Sequence, residues 1–192
     1  MPRLSLPGGL ATLPTDSQGR LHLFAYGSLI WNPDFTPVDC QRARIYGYHR
    51  HFCVRSIRYR GTQAFAGLVL GLDRGGSCHG MRMTIAADDI DKVAPRLFER
   101  EMSLPVYRPT CLPVFCEDRR PVLSLTFVAD QTSAYYVRYD PAHTAQIIAR
   151  ARGARGTNRA YLLQTLKALQ DNDIHCPHLE KLAHVVQSPG SG

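Results

Sequence analysis

Two short stretches of this chain carry residue types that could do chemistry together. The first is Phe24-Ala-Tyr-Gly-Ser-Leu-Ile-Trp-Asn-Pro33, where an apolar run over 21–26 meets Gly27-Ser28. A strand that ends at a glycine can turn sharply and bring its backbone N–H groups close to a ligand. Successive N–H groups pointing into one concavity make an anion site, suited to a carboxylate as well as a phosphate. Tyr26 and Ser28 flank that concavity with hydroxyls, although an ordinary strand-to-turn junction reads the same way. The second stretch is Leu97-Phe-Glu-Arg-Glu-Met102. Ile90, Val93, Leu97 and Phe98 recur at helical spacing, and Glu101 lies four residues after Leu97 and three after Phe98, on the same side. Glu99 points roughly opposite and is expected in solvent. A charge on a core-facing stripe is paired or functional. Either Glu101 is a carboxyl whose pKa is raised by desolvation, able to take and return a proton near neutral pH, or it is a helix-end glutamate paired with Arg100, Arg108 or Arg55.

Other combinations are weaker. His49, His51 and Cys53 alternate along one strand and should share a face, but adjacent side chains on one strand rarely close a tetrahedral zinc site without a distant fourth ligand. Cys78-His79 and Cys176-Pro-His178 suggest less. No Gly-x-Ser-x-Gly elbow occurs, so acyl-enzyme chemistry at Ser28 lacks support. Gly75-Gly76 has neither the spacing nor the Lys-Ser/Thr of a phosphate loop. Tyr135, Tyr136 and Tyr139 read as packing at a strand end.

These groups must be positioned by one domain. The chain has 192 residues with 44% hydrophobic and 20% charged content, enough for a core that needs no disulfide. Residues 1–19 read as a loosely held arm, 20–187 as the domain and 188–192 as a tail. No apolar run reaches membrane-span length, and the first twenty residues lack a signal-peptide core. Six scattered cysteines without a Cys-x-x-Cys pair fit a reducing compartment, hence the cytoplasm. The net charge of +7, with Arg42, Arg44, Arg50, Arg55, Arg58 and Arg60 crowding one segment, would suit nucleic acid, but no signature of that kind accompanies it. A basic surface equally steers small anionic substrates.

Strands are expected over 21–26, 44–54, 66–72, 79–85, 108–116 and 122–129, with 66–72 and 79–85 forming a hairpin about Asp73-Arg-Gly-Gly-Ser77. Helices should start at Asp88, running towards Met102 with Pro95 kinking or restarting it, at Asp140-Pro141, at Thr157 and at Pro177. Leu162, Leu163, Leu166 and Leu169 mark the buried stripe of the third, and Leu179, Leu182, Val185 and Val186 that of the fourth. Strands first and helices last predict an α+β fold around a strongly curved mixed sheet or barrel.

Taken in order, the motifs resemble the ChaC-type γ-glutamylcyclotransferases over most of 21–187. They are Tyr26-Gly-Ser-Leu29 with Trp31-Asn-Pro33, Gly47-Tyr-His-Arg50, Phe52-Cys-Val-Arg-Ser56, Tyr59-Arg-Gly-Thr62, Gly67 to Cys78, Arg100-Glu-Met102 with Tyr107, and Gly156 and Asn158 with Tyr161-Leu162. Ser103-Leu-Pro-Val106 departs from the glycine that many relatives carry there. The resemblance implies a small α+β fold around a mixed β-barrel, no metal or organic cofactor, and cleavage of a γ-glutamyl amide by the substrate's own α-amine. For this branch it implies glutathione, giving 5-oxoproline and cysteinylglycine. Glu101 would move the proton. The Gly27-Ser28-Leu29 amides would hold the α-carboxylate or polarise the γ-carbonyl. Tyr26, Tyr107 and Tyr161 would orient the substrate, with Arg55 and Ser56 lining the site. Two other readings stay open: another γ-glutamyl amine or dipeptide as substrate, or a non-catalytic module on the same fold that binds anions or nucleic acid.

Overall fold

A computed structural model describes residues 12–117 and 120–188. The expected arm over 1–19 and tail over 188–192 fall largely outside them. Five strands close a barrel: β1 (Leu21–Ala25), β2 (Asp39–Ser56), β3 (Gly67–Ile85), β4 (Tyr107–Phe115) and β5 (Pro121–Ala129), in the order β1-β3-β2-β4-β5. Neighbours are antiparallel, except that β5 runs parallel to β1 at Leu23↔Leu125 and to β3 at Leu72↔Val128, which closes the ring. Closure leaves no open edge and surrounds a core of Leu21, Leu23, Phe24, Ile45, Leu70, Leu72, Leu125 and Phe127.

The hairpin expected at Asp73–Ser77 does not form. β3 is one strand of 19 residues, paired along its length with the 18-residue β2. Gly75 (φ 98°) and Gly76 (φ 70°) adopt left-handed conformations opposite Gly47 (φ 81°), and the register shifts between Tyr46 and Tyr48. Glycine supplies the positive φ that bends the strand pair there without reversing the chain. A second register shift falls between Phe52 and Val54. The Cys53 thiol packs with Val54, Val106 and Ala129, and it is Asp73, not Cys53, whose ligand atom lies within 4.8 Å of those of His49 and His51.

Four helices complete the domain: α1 (Ile90–Glu101), α2 (Pro141–Arg150), α3 (Asn158–Gln170) and α4 (Pro177–Gln187), with a two-residue ribbon of β6 (Arg152–Gly153) and β7 (Gly156–Thr157) before α3. A 3-10 turn over Ala87–Asp89 precedes α1, so the helix starts just after the expected Asp88 and runs through Pro95 without a break. The caps of α2 and α3 are those read from sequence: Asp140 Oδ1 accepts from the His143 N–H, and Thr157 Oγ1 from the Ala160 N–H. The buried face of α3 is rotated from the leucine stripe. Tyr161, Leu162, Thr165 and Leu169 are buried, whereas Leu163 and Leu166 are only partly so. That rotation carries Tyr161 against the barrel. In α4, Leu179, Ala183 and Val186 are buried while Val185 is 57% exposed.

Candidate active site

A cavity of about 670 Å³ opens where the C-terminal end of β2, the 57–63 segment, the end of α1, the start of α3 and the turn after β1 meet. Its position follows from backbone packing. A Cβ added at Gly67 would stand 2.2 Å from the Arg60 carbonyl oxygen and 2.7 Å from Asn158 Oδ1, so only glycine lets the segment lie this close to β3. Asn158 completes the junction like a rung of sheet. Its Oδ1 accepts from the Leu68 N–H at 2.6 Å, and its Nδ2 donates to the Leu68 carbonyl at 2.7 Å.

Glu101 lies in the cavity wall at the C-terminal end of α1, its side chain 15% exposed. Val93, Leu97 and Phe98 on the same helix are buried, and Glu99 is exposed. The helical phase read from sequence is therefore the observed one. The pairing read from sequence is observed with Arg100, whose Nε lies 3.2 Å from Glu101 Oε1. Burial pushes the Glu101 carboxyl up; Arg100 and Arg155 pull it down but do not overcome burial. Arg100 is fixed elsewhere too: Nη1 donates to the Asn32 carbonyl and to Asp34 Oδ2, and Nη2 to Ser28 Oγ at 3.1 Å. One guanidinium thus ties the Ser28 turn to the acid.

That turn is a 3-10 turn over Ser28–Ile30 directly after β1. Its own hydrogen bonds use the N–H groups of Ile30, Trp31 and Asn32. Those of Ser28 and Leu29 come first and have no partner within the turn. Ser28 is in the cavity wall, whereas Tyr26 and Leu29 are buried in the core and Gly27 is buried between them in the chain. The Tyr26 hydroxyl donates to the Phe127 carbonyl at 2.8 Å, so its proton is committed to β5.

Tyr107 and Tyr161 do line the cavity, and both are set by Leu70 of β3. The Tyr107 hydroxyl donates to the Leu70 carbonyl at 2.7 Å, while the Tyr161 hydroxyl accepts from the Leu70 N–H at 3.3 Å. Tyr161 therefore keeps its own proton for a ligand. Burial raises all three phenols, Tyr161 to about 12 and Tyr26 and Tyr107 well above 10, so they act as neutral hydrogen-bonding groups. Arg55 and Ser56 also line the wall; Ser56 Oγ accepts from the Arg60 N–H at 3.0 Å.

The sequence reading missed how many cations converge here. Arg55, Arg58, Arg60, Arg100 and Arg155 line one cavity in which Glu101 is the single acid among the described residues. Arg155 stacks 4.1 Å from the Tyr59 ring centroid, and Arg60 lies 5.3 Å from that of Tyr161. Arg58 and Arg60 stood out in sequence only as charge, and Arg155 carried no signal, being nearly a hundred residues away in the chain. Such a cavity suits a small molecule with more than one carboxylate and one group that exchanges a proton.

This barrel with its helical cover is the fold of the γ-glutamyl cyclotransferases. A solved glutathione-specific γ-glutamyl cyclotransferase from yeast superposes with a TM-score of 0.80 over 88% of this chain and 96% of that one, at 20% identity. The sequence profile described as ChaC-like protein matches residues 21–189, and the chain belongs to that family. It is 33% identical over 159 residues to the glutathione-specific γ-glutamylcyclotransferase of Escherichia coli K12, covering 82% of this chain and 68% of that protein. To the protein of the same name from Schizosaccharomyces pombe it is 34% identical over 194 residues, covering 85% and 92%.

Proposed function

We propose that this protein is a γ-glutamylcyclotransferase that degrades glutathione to 5-oxoproline and cysteinylglycine. The observation that carries this reading is Glu101, a buried carboxyl with a raised pKa in a cavity whose lining also includes Arg55, Arg58, Arg60, Arg100 and Arg155. Glutathione brings two carboxylates and an α-amine, and its amine is tethered to the carbonyl it attacks. Folding the γ-glutamyl arm back can lower the barrier by roughly 7–11 kcal/mol in favourable cases.

The proton is what the protein must manage. The α-amine is mostly protonated at neutral pH and needs a base. Glu101 takes its proton as the amine nitrogen bonds to the γ-carbon, and then gives a proton to the cysteinyl nitrogen as the γ-amide C–N bond breaks. No water is consumed and no atom is lost: one glutathione gives one 5-oxoproline and one cysteinylglycine. Ser28 and the amides at the start of its turn polarise the γ-carbonyl or hold the α-carboxylate. The Tyr161 hydroxyl offers a further donor. Arg55, Arg58 and Arg155 attract the carboxylates. Cys40, Cys53, Cys78, Cys111 and Cys176 are free thiols, which suits a reducing compartment such as the cytoplasm, and no helix among the described residues is long and apolar enough to cross a membrane.

Incubation with glutathione, followed by detection of 5-oxoproline and cysteinylglycine in equal amounts, tests the proposal. Glutamate and cysteinylglycine would indicate an amidase, and no product would favour a binding module. γ-Glutamylalanine run in parallel separates a glutathione-specific enzyme from one acting on other γ-glutamyl substrates.

A further inference from the structure

We propose that His49, His51 and Asp73 bind a single borderline divalent ion of the Zn²⁺ class, in a site on the barrel separate from the cavity of Glu101. The three side chains offer one ligand atom each, all within 4.8 Å of one another. His49 and His51 alternate on β2, and Asp73 is the residue of β3 registered against His49.

His51 carries the argument. Its Nδ1 is buried and has no hydrogen-bond partner. Asp73 Oδ2 lies 3.9 Å away, too far for a hydrogen bond. Two metal–ligand bonds of about 2.0–2.1 Å at a tetrahedral angle would hold these atoms roughly 3.3–3.4 Å apart. An ion would therefore draw ring and carboxylate about half an ångström together and give the orphaned nitrogen a partner.

His49 supplies the third ligand with its tautomer already set. Its Nδ1 lies 3.0 Å from the Gly75 carbonyl, which can only accept, so the proton is on Nδ1 and the Nε2 lone pair is free. An imidazole held through its other nitrogen by a carbonyl is the usual arrangement of a metal ligand. Asp73 is likewise held by neighbours: Gln131 Nε2 donates to Oδ1 at 2.7 Å, the Arg74 N–H to Oδ1 at 2.9 Å, and the Tyr136 hydroxyl to Oδ2 at 2.9 Å. Arg138 Nε stands 3.4 Å from Oδ2 on a side chain 64% exposed, so it can swing into solvent when a cation enters. Both histidines line a cavity of about 490 Å³ shared with His79, His175, Cys176 and His178. An imidazole-rich donor set selects zinc, cobalt or nickel over magnesium or calcium. Such an ion would clamp β2 to β3 beside the bend at Gly75-Gly76.

The test uses untagged, chelator-stripped full-length protein. Titration with Co²⁺ should give one saturating equivalent with a visible absorption band that Zn²⁺ abolishes, while Mg²⁺ has no effect. Saturating Zn²⁺ should raise the Tm. His49→Ala/His51→Ala, with folding checked by circular dichroism, should lose at least tenfold in affinity and the Tm shift. His184→Ala, on the exposed face of α4, should behave as wild type. A water bridging His51 and Asp73 would give no saturable metal binding, and that result overturns the proposal. So does binding that the double variant retains undiminished.

Discussion

Replacing Glu101 by Gln keeps the shape of the side chain and removes its ability to carry a proton. Loss of general acid–base function costs about 10²–10⁴-fold in turnover, or roughly 2.7–5.5 kcal/mol of transition-state stabilisation at 1.36 kcal/mol per factor of ten. The fold should survive, because Arg100 keeps its bonds to Asn32, Asp34 and Ser28 when the 3.2 Å contact to Glu101 is neutralised. The pKa of Glu101 is raised from 4.5 in the folded protein, so folding favours its protonated form. Its ionisation weakens the fold progressively as pH climbs from 4.5 through the folded pKa, and not below that window. Glu101→Gln should thus be no less stable than wild type at pH 7, with the difference shrinking on acidification. The same carboxylate must be ionised to accept the amine's proton. Wild-type kcat/KM should therefore fall on the acid side with a midpoint above 4.5, a limb absent from any residual activity of the variant. The assay is 5-oxoproline release from glutathione by mass spectrometry, with a melting curve for each protein. Turnover of Glu101→Gln within tenfold of wild type, or an equal loss in Glu99→Gln on the exposed side of α1, would refute the reasoning.

Three further outcomes are expected. Activity at ambient temperature should survive exhaustive chelation and thiol reduction, since the proposed chemistry routes no step through a metal or disulfide; loss with EDTA that returns with zinc would contradict it. N-acetylglutathione should inhibit weakly and competitively yet never be cleaved, because acylation removes the nucleophilic lone pair and the proton that Glu101 takes; release of N-acetylglutamate would replace the cyclotransferase by an amidase. Asn158→Ala should cost about 2–6 kcal/mol in urea unfolding, as the Leu68 N–H and carbonyl lose their partners at a fully buried position; a loss under 1 kcal/mol would mean that this junction is not what holds α3 to the barrel.

Much of the machinery is local, and local chemistry is legible in a sequence. Asp140-Pro141 and Thr157 start helices because their side-chain oxygens satisfy first-turn N–H groups, and this needs only neighbouring residues. The orientation of Glu101 follows from 3.6 residues per turn, and Pro95 did not disturb it. Gly75-Gly76 was not decidable in the same way. Positive φ serves a hairpin turn and a bent strand equally, and what selects between them is β2, whose 18 residues pair on both sides of the bend. The leucine stripe of α3 misled for a related reason: the barrel presents Leu70 to Tyr161, and a buried hydroxyl with a backbone partner displaces Leu163 and Leu166 from the interface. Sequence motifs alone named Glu101, Ser28, Arg55, Ser56, Tyr107 and Tyr161 for the site. The tertiary structure decided that Tyr26 spends its hydroxyl proton on Phe127, that Asp73 rather than Cys53 joins His49 and His51, and that five arginines from three segments line one cavity with Glu101. Those outcomes depend on barrel closure and on glycines that let backbones touch, which are long-range contacts that no periodicity records.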